Sequence, residues 1–486
     1  MIKHRMQFAG SGSNLKFTIG LLIALGLSGC TLGPDYVRPQ LALPDAYRKA
    51  DTAPAEQAQT TQTTTSFNKE WWTLFNDSQL DSLMQTALTD NADVQIAIAR
   101  LSQAEAIARQ AGAALYPTLN LGAGVTRASS GTVATTSGVA VSANTSQAAF
   151  STSYELDIWG RVRRNIESAT ALLDASRYDQ VGVSLTLSGL IANTYLRLRS
   201  LDAQISVLND SVATRENSLR IAKAKFDGGL ISPIDISQAT AALASSQATL
   251  SEIRRQRGVV QNQLGVLTGK LDLVVDAGDV RKLPVPPLPP AGLPSSLLEN
   301  RPDVNRAEQE LRAANARIGV STANLFPTIS LTGLFGAQSV DFSAFLTNQS
   351  TVWSAGLGLV QPIFSGGLLQ GRLDFAKAQQ QEFLGNYVKV VRTAFGEVSD
   401  ALVSVRQTLT TEEYLNVQVQ AAVKAQSLAI LRYEAGYVDF LSVLESQRVA
   451  NEANLAYVIN RSARLQSSVD LFKSLGGGWT RPDPAK

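Results

Sequence analysis

The sequence contains one histidine, His4, and one cysteine, Cys30. His4 lies inside an N-terminal segment that is typical of a secretory signal peptide, so we expect the mature chain to have no histidine at all. Catalysis by histidine or by a free cysteine, disulfides, and metal sites of the histidine and cysteine type are thereby excluded. We predict a protein that is not an enzyme and that has no catalytic residues, no metal site and no cofactor.

Long apolar runs and a basic surplus are also missing. The run Phe17–Leu27 has 11 residues, whereas a membrane-spanning helix needs about 20. Since no later run approaches about 18 apolar residues, any entry into a bilayer has to use β-strands. Loss of the signal peptide would remove Lys3, Arg5 and Lys16 and leave acidic and basic residues nearly balanced. Nothing in the charge therefore favours nucleic acid as a partner.

The end of the signal peptide has the pattern of a lipoprotein. Leu27, Ser28 and Gly29 precede Cys30, which is the arrangement in which the thiol receives a diacylglyceryl group. We predict a signal peptide over residues 1–29 and a lipidated, extended segment over 30–77, with diacylglyceryl and N-acyl lipid on Cys30. Thr31 in place of an aspartate favours sorting to the outer membrane. The alternative is a buried cysteine after an ordinary signal peptide.

Two segments of the chain repeat each other. Residues 88–121 align without a gap on residues 298–331, with 12 of 34 positions identical. The most similar piece is a Tyr/Phe-Pro-Thr sequence, Tyr116-Pro117-Thr118 in the first copy and Phe326-Pro327-Thr328 in the second. We infer an internal tandem duplication with repeat 1 at 78–270, a proline-rich linker at 271–297, repeat 2 at 298–475 and a C-terminal tail at 476–486.

Proline placement predicts long helices, because an interior proline breaks a helix. Proline-free tracts with apolar residues at three-to-four spacing predict helices of 67 residues each over 161–227 and 368–434. Glycine-containing turns follow both helices, and second helices are expected over 233–270 and 438–475. Shorter helices are expected over 78–114 and 303–324. Each repeat therefore contains a long helical hairpin.

Alternating apolar residues predict a pair of strands in each repeat. The β-hairpins are expected within 118–159 and 327–364, with loops at their tips over 129–144 and 339–350. Four strands cannot close a membrane barrel, whose smallest members have about eight. Since open edges are not tolerated in lipid, either the hairpins lie outside the membrane or several chains combine their strands.

Four aromatic residues fall where the predicted strands meet the helices: Tyr116, Trp159, Phe326 and Phe364. Aromatic residues are enriched at membrane–water interfaces. These positions suit a girdle at the periplasmic boundary, and they equally suit ordinary core packing at a junction.

Several motifs in order resemble the outer-membrane efflux factors, the TolC-like family, and most closely the lipoprotein branch that serves multidrug pumps of the resistance-nodulation-division type. They are the sequence up to Cys30, Gly33-Pro34-Asp35-Tyr36-Val37-Arg38-Pro39, Trp71-Trp72 with Phe75, Arg301-Pro302-Asp303-Val304, the two Tyr/Phe-Pro-Thr turns, Gln361-Pro362-Ile363-Phe364 and Leu475-Gly476-Gly477-Gly478-Trp479. The resemblance covers nearly the whole mature chain.

This resemblance implies an α+β membrane protein that forms a homotrimer. A 12-stranded β-barrel in the outer-membrane lipid would continue into a 12-helix α-barrel that projects into the periplasm. Its expected partners are a periplasmic adaptor protein and an inner-membrane pump. The implied function is a passive duct that exports drugs or other small toxic compounds.

The same resemblance places a closable aperture at the tips of the helical hairpins. Matching positions are Lys225, Asp227 and Asp235 in the first hairpin and Tyr433, Asp439 and Glu445 in the second. This sequence has Glu434 where relatives often have arginine, so a lock between tyrosine, arginine and carboxylate is in doubt. Solvated helix ends are the alternative for every one of these charges. We expect Glu445 and Asp439 to line the closed entrance.

Three other functions remain open on the sequence. Export of copper or silver fits the same family, although thioether ligands suit copper(I) and Met84 is the only methionine after the signal peptide. A periplasmic adaptor is also a lipoprotein with a helical hairpin, but a duplicated hairpin with two strand pairs argues against it. A structural lipoprotein tether would explain the helices and not the strands.

Overall fold

The computed structural model describes residues 31–42, 44, 70–130, 141–287, 298, 300–341, 344–345 and 347–478. The predicted signal peptide, Cys30 and the end of the C-terminal tail lie outside the described residues. The chain divides into two compact units. The first contains the stretches up to Pro39, Ser102–Ala175 and Glu308–Asn386, and the second contains Gln40–Leu101, Ser176–Ala307 and Tyr387–Lys486.

Seven α-helices are described. They are α1 (Ser78–Asp90), α2 (Ala92–Ala113), α3 (Arg161–Asp227), α4 (Pro233–Thr268), α5 (Pro302–Ala323), α6 (Leu368–Glu434) and α7 (Phe440–Ser474). The bounds of α3 and α6, 67 residues each, are those expected from the proline-free tracts. No helix among the described residues combines the length and the apolarity needed to cross a membrane.

The two long helices end in the same backbone geometry. After α3, the amide of Leu230 donates to the carbonyl of Lys225 at 2.9 Å, and Gly229 has a positive φ of 71°. After α6, the amide of Tyr437 donates to the carbonyl of Arg432 at 2.8 Å, with Gly436 at 81°. These are Schellman-type ends, which need a residue without a side-chain penalty in the left-handed region.

The predicted helix over 78–114 is wrong in one respect, because it is two helices. Asn91 has an extended ψ of 133° that ends α1. Its side-chain oxygen accepts from the amide of Asp93 at 2.8 Å, and its amide group donates to the carbonyl of Leu267 at 2.9 Å. The asparagine therefore caps α2 and fixes the break onto α4.

The predicted extended segment 30–77 is also corrected at its end. Residues Trp71–Phe75 form a 3-10 helix with Trp71, Trp72 and Phe75 buried. The ring of Trp71 stacks on Phe472 with centroids 5.8 Å apart. These aromatic side chains belong to the large core of the second unit, with residues of α1, α3, α4 and α7.

Among its described residues, the first unit contains one antiparallel sheet of four strands in the order β1-β2-β3-β4. The strands are β1 (Thr118–Ser130), β2 (Val141–Glu155), β3 (Thr328–Ser339) and β4 (Thr351–Val360). The first predicted tip loop, 129–144, is wrong at both ends, since these strands run to Ser130 and begin at Val141. The alternation of apolar residues that predicts strands is absent at these strand ends, because most of their residues are small or polar. Residues 131–140 lie outside the described part of the chain.

Candidate functional site

The sheet has one apolar face and one face of mostly small and polar residues. Its register places four large side chains in one row across all four strands, Leu121, Phe150, Phe335 and Trp353. Further apolar residues of the same face are Leu119, Val125, Leu331, Leu357 and Leu359, and all of them are exposed in the single chain. A contiguous apolar surface of this kind marks a contact with a membrane or a partner.

The opposite face carries little bulk. One row pairs Asn120 with Ser151, Leu334 and Ser354, and the next row pairs Gly122 with Ala149, Gly336 and Val352. Alternation of this sort is the pattern of a barrel strand with lipid on one side and a polar lumen on the other. In the described part of the sheet, β1 pairs only with β2, and β4 pairs only with β3.

The four predicted junction aromatics do not form one cluster. Trp159 and Phe326 come together with ring centroids 5.0 Å apart, and the Trp159 indole donates to the carbonyl of Pro327 at 2.8 Å. Tyr116 is 71% exposed and Phe364 is 91% exposed. The first pair is thus a packed junction between the two halves of the chain, while Tyr116 and Phe364 are free to contact the surroundings.

The turns of the two helical hairpins meet in a small apolar cluster. Ala222 of α3 and Ala239 of α4 pack with Tyr433, Phe440 and Val443 of the second hairpin. The rings of Tyr433 and Phe440 lie 5.3 Å apart between centroids. The structure therefore brings the two predicted tip regions together.

Lys225 is the polar link across this cluster. Its Nζ donates to the carbonyl of Tyr433 at 2.7 Å and lies 4.0 Å above the centroid of the Tyr433 ring. Tyr433 is 6% exposed. Burial, with a smaller contribution from the charge of Asp235, raises the pKa of the Tyr433 phenol. A neutral ring in contact with an ammonium group gives a cation–π contact.

Two of the predicted carboxylates of the tips, Asp439 and Asp235, cap helices. Asp439 caps α7, accepting from the amide of Ser442 at 2.9 Å, and the Ser442 hydrogen bonds lower the pKa of the Asp439 carboxyl. Asp235 closes a capping box with Ser232 at the start of α4. Asp227 is the exposed last residue of α3. These contacts account for the positions of the Asp439 and Asp235 side chains, and all three carboxylates lie near the tips.

Glu445 pairs with an arginine that the sequence prediction omitted. Arg448 Nε donates to Glu445 Oε2 at 2.9 Å, and Arg448 Nη1 donates to Glu452 Oε1 at 2.7 Å. This contact lowers the pKa of the Glu445 carboxyl. The spacing of three and four residues along one helix is the signal that could have identified Arg448. Asp439, Ser442 and Glu445 also line a shallow groove with Ala422 and Val449.

Comparison with protein families matches residues 83–270 and 293–477 to the family described as outer membrane efflux protein. The chain is 35% identical over 422 residues to the pyoverdine export outer membrane protein OpmQ of Pseudomonas aeruginosa, covering 85% of this chain and 88% of that protein. It is 32% identical over 467 residues to the toluene efflux pump outer membrane protein TtgF of Pseudomonas putida, covering 95% and 96%.

A third relative is the cation efflux system protein CusC of Escherichia coli, 30% identical over 461 residues, with 94% of this chain and 97% of that protein covered. Among solved structures, the outer-membrane channel OprN superposes with a TM-score of 0.85 at 28% identity. That match covers 93% of this chain and all of the OprN chain.

Proposed function

Because this chain belongs to the outer membrane efflux protein family, we propose that it is the outer-membrane duct of a three-part efflux assembly, through which small toxic organic compounds leave the cell. A passive duct needs no catalytic group, which agrees with a sequence whose only histidine and cysteine are His4 and Cys30. Its driving force would come from an inner-membrane pump of the resistance-nodulation-division type, reached through a periplasmic adaptor protein. Similarity over most of the chain to the efflux proteins OpmQ and TtgF supports this role.

The unpaired outer edges of the sheet carry the proposal of a homotrimer. The described strands give four per chain with open edges at β1 and β4, and lipid does not tolerate open edges. If β1 of each copy pairs with β4 of the next, three chains close a 12-stranded barrel. The apolar row through Phe150 and Phe335 would then face outer-membrane lipid. The four long helices of each chain would form a 12-helix tunnel in the periplasm.

The proposed duct also carries a lipid on Cys30 and a girdle of aromatic residues at the periplasmic boundary of the membrane. Tyr116 and Phe364 are exposed next to the strand ends, which is where membrane proteins carry interfacial aromatics. Trp159 and Phe326 would support this boundary from inside the chain, since they pack on each other.

Organic substrates are favoured over metal ions by the position of the single mature-chain methionine. Met84 is fully buried in the core of the second unit, so its thioether is not available to a copper ion in a duct. Copper or silver export remains the second candidate because of the similarity to CusC, which is described as a cation efflux protein. Expression in a strain that lacks its own outer-membrane efflux proteins distinguishes the two. We expect lower accumulation of toluene or dyes and unchanged copper tolerance, and the reverse result would favour metal export.

The aperture is proposed at the hairpin tips, where Lys225, Asp227, Asp235, Tyr433, Asp439 and Glu445 lie. In a threefold assembly Glu445 would appear three times around the entrance, with Arg448 partly compensating its charge. Replacement of Glu445 by alanine should raise the single-channel conductance in planar bilayers. An unchanged conductance would remove Glu445 from the aperture.

The first experiment on the assembly is single-particle imaging of the detergent-purified protein with its mass measured in parallel. We expect a threefold particle with a barrel and a helical tunnel. A monomer, or a solid rod without a barrel, would contradict the duct and favour a structural tether.

A further inference from the structure

The first described residues, Thr31–Arg38, lie against both halves of the chain within the first compact unit. We call this segment the strap. The amide of Leu32 donates to the carbonyl of Trp159 at 3.1 Å. Thr31 is packed against Gly160, where an added Cβ would lie 2.9 Å from the Thr31 Cα. The strap therefore begins at the junction between β2 and α3.

Arg164 is the main side chain that holds the strap. Its Nε donates to the carbonyl of Leu32 at 3.2 Å, and its Nη2 donates to Asp35 Oδ1 at 2.6 Å. The arginine side chain is 6% exposed, while Asp35 is 86% exposed. Because an exposed carboxylate contributes little to stability, the strap carbonyl is the more important partner. Arg164 also donates to Glu167 of its own helix at 2.8 Å, so release of the strap would leave this buried guanidinium with fewer acceptors, which is costly.

The other half of the chain holds the strap through α5. The side-chain amide of Asn315 donates to the carbonyl of Pro34 at 2.8 Å. Arg38 pairs with Glu308 at 3.5 Å. The strap thus bridges α3 from the first half and α5 from the second.

Two glycines let the strap approach the helix backbone directly. Gly33 has a φ of +92°, and a Cβ there would lie 2.5 Å from the Cα of Gly319. A Cβ on Gly319 would lie 2.8 Å from the carbonyl oxygen of Leu32 and 2.8 Å from Arg164 Cγ. Real side chains do not fit at these distances, so the strap occupies a notch that only glycine leaves open.

We propose that the strap is a positioning device: Arg164 and Gly319 hold the mature N-terminus at the strand–helix junction, so that lipid on Cys30 is attached at a fixed place beside the strands. The proposal rests on lipidation of Cys30, which belongs to the proposed function. A lipid on a free N-terminal tail could enter the membrane anywhere within reach of the tail. A lipid one residue before Thr31 has no such freedom, since adjacent Cα atoms are only about 3.8 Å apart.

The test compares Gly319→Ala and Arg164→Ala in the full chain, purified from outer membranes. Gly385→Ala is the matched glycine control, because it lies on α6 in the same unit with no atom within 4 Å of an added Cβ. Arg161→Ala is the arginine control, since Arg161 bonds to Glu155 at the start of the same helix as Arg164. Hydrogen exchange followed by mass spectrometry reports on the strap amides, and the mass of the N-terminal peptide reports on the lipid.

We expect exchange at the strap to be at least tenfold faster in Gly319→Ala and Arg164→Ala and unchanged in both controls. Exchange in α5 and α6 should stay as in the parent, which separates release of the strap from general destabilisation. A spin label on Val37→Cys reports on attachment of the strap directly, because Val37 is exposed and Cys30 is the only other cysteine. The spectrum of the label should show restricted motion in the parent background and faster motion with Gly319→Ala.

Each contrary outcome has a distinct meaning. Unchanged strap exchange and unchanged label motion in Gly319→Ala and Arg164→Ala, on a lipidated peptide, would overturn the positioning role and leave the proposed lipidation intact. An N-terminal peptide without lipid would contradict the proposed lipidation and remove the positioning role with it.

Discussion

Short polar side chains decide where several helices of this chain begin. Asp77 caps α1, Asn91 caps α2 and Asp439 caps α7 through hydrogen bonds to amides of the first turn. The cap at Asn91 was missed in the sequence because apolar periodicity continues across it. A second reason is that its other hydrogen bond goes to Leu267, 176 positions away in the chain. Such partners cannot be predicted from local pattern alone.

The first prediction concerns Asp77. Its Oδ1 accepts from the amide of Gln79 at 2.9 Å, and its Oδ2 accepts from the buried hydroxyl of Tyr195 at 2.6 Å. Burial, followed by the bond to Asp77, raises the pKa of the Tyr195 phenol, so this hydroxyl stays protonated and remains a donor.

Asp77→Ala should destabilise the fold by roughly 2–3 kcal/mol, because it removes a cap and leaves a buried donor without its acceptor. Asp77→Asn should cost less, since the amide oxygen can still cap α1. The thermal unfolding midpoint in detergent checks the order parent, asparagine, alanine. Equal midpoints for both variants would show that capping contributes nothing here.

The second prediction concerns the link between the hairpin tips. Sequence position identified both Lys225 and Tyr433, but it could not pair them, because they lie 208 residues apart. Lys225→Met should remove the cation–π contact, which is worth about 0.5–2 kcal/mol, and the bond to the Tyr433 carbonyl. We expect looser tips and a higher single-channel conductance.

Lys223→Met is the control for this variant, because Lys223 carries the same charge two residues earlier and is exposed. Equal conductance changes in Lys223→Met and Lys225→Met would mean that net charge, and not the contact with Tyr433, sets the conductance.

At the scale of elements, the long helices were predictable and the strand ends were not. Both long helices, α3 and α6, lie in tracts without proline, and a glycine with positive φ is present just beyond each of their ends. In contrast, Ser129, Ser130 and the residues Ser142, Ala143 and Asn144 are small or polar, and only pairing with the partner strand makes them part of strands. The apolar face of the sheet was predictable from the alternation of apolar and polar residues in the sequence, because successive side chains of a strand point to opposite faces.

The third prediction uses neighbouring residues on the two faces of β3. Phe335 belongs to the apolar row, and Leu334 lies on the opposite face beside Ser151 and Ser354. If the apolar row faces lipid near the midplane, Phe335→Arg should cost about 2–4 kcal/mol of membrane stability, whereas a lumen-facing arginine should be tolerated. The yield of protein folded into outer membranes checks this, with Leu334→Arg as the matched variant. Loss of insertion in Leu334→Arg alone would reverse the two faces.

At the scale of the whole molecule, the family predicted from the motifs is confirmed by the match over residues 83–270 and 293–477. The duplication, the trimer and the lipid remain predictions. The duplication is a statement about the history of the gene, the trimer depends on partner copies, and the lipid depends on a modification, and one chain contains none of these. Within one chain, the two halves join in the sheet through the pairing of β2 with β3.

The last prediction tests this joint. Gly336 of β3 lies opposite Ala149 of β2, and a Cβ on Gly336 would be 2.2 Å from the Ala148 carbonyl oxygen and 2.4 Å from the Ala149 Cα. Since both contacts are to backbone, Gly336→Ala has to push the two strands apart, and overpacking of this kind costs about 1–3 kcal/mol.

Gly333→Ala is the internal control for the joint, because Gly333 also lies on β3 opposite β2, but the one close atom to an added Cβ is the side-chain methyl of Thr152, which can rotate away. We expect Gly336→Ala to lower by several degrees the temperature at which the assembly dissociates in detergent on a gel, and Gly333→Ala to lower it clearly less. Since the proposed barrel closes only if each chain contributes an intact four-stranded sheet, weakening the joint between the halves should weaken contacts between chains as well. Dissociation of both variants at the parent temperature would mean that the β2–β3 joint does not limit assembly.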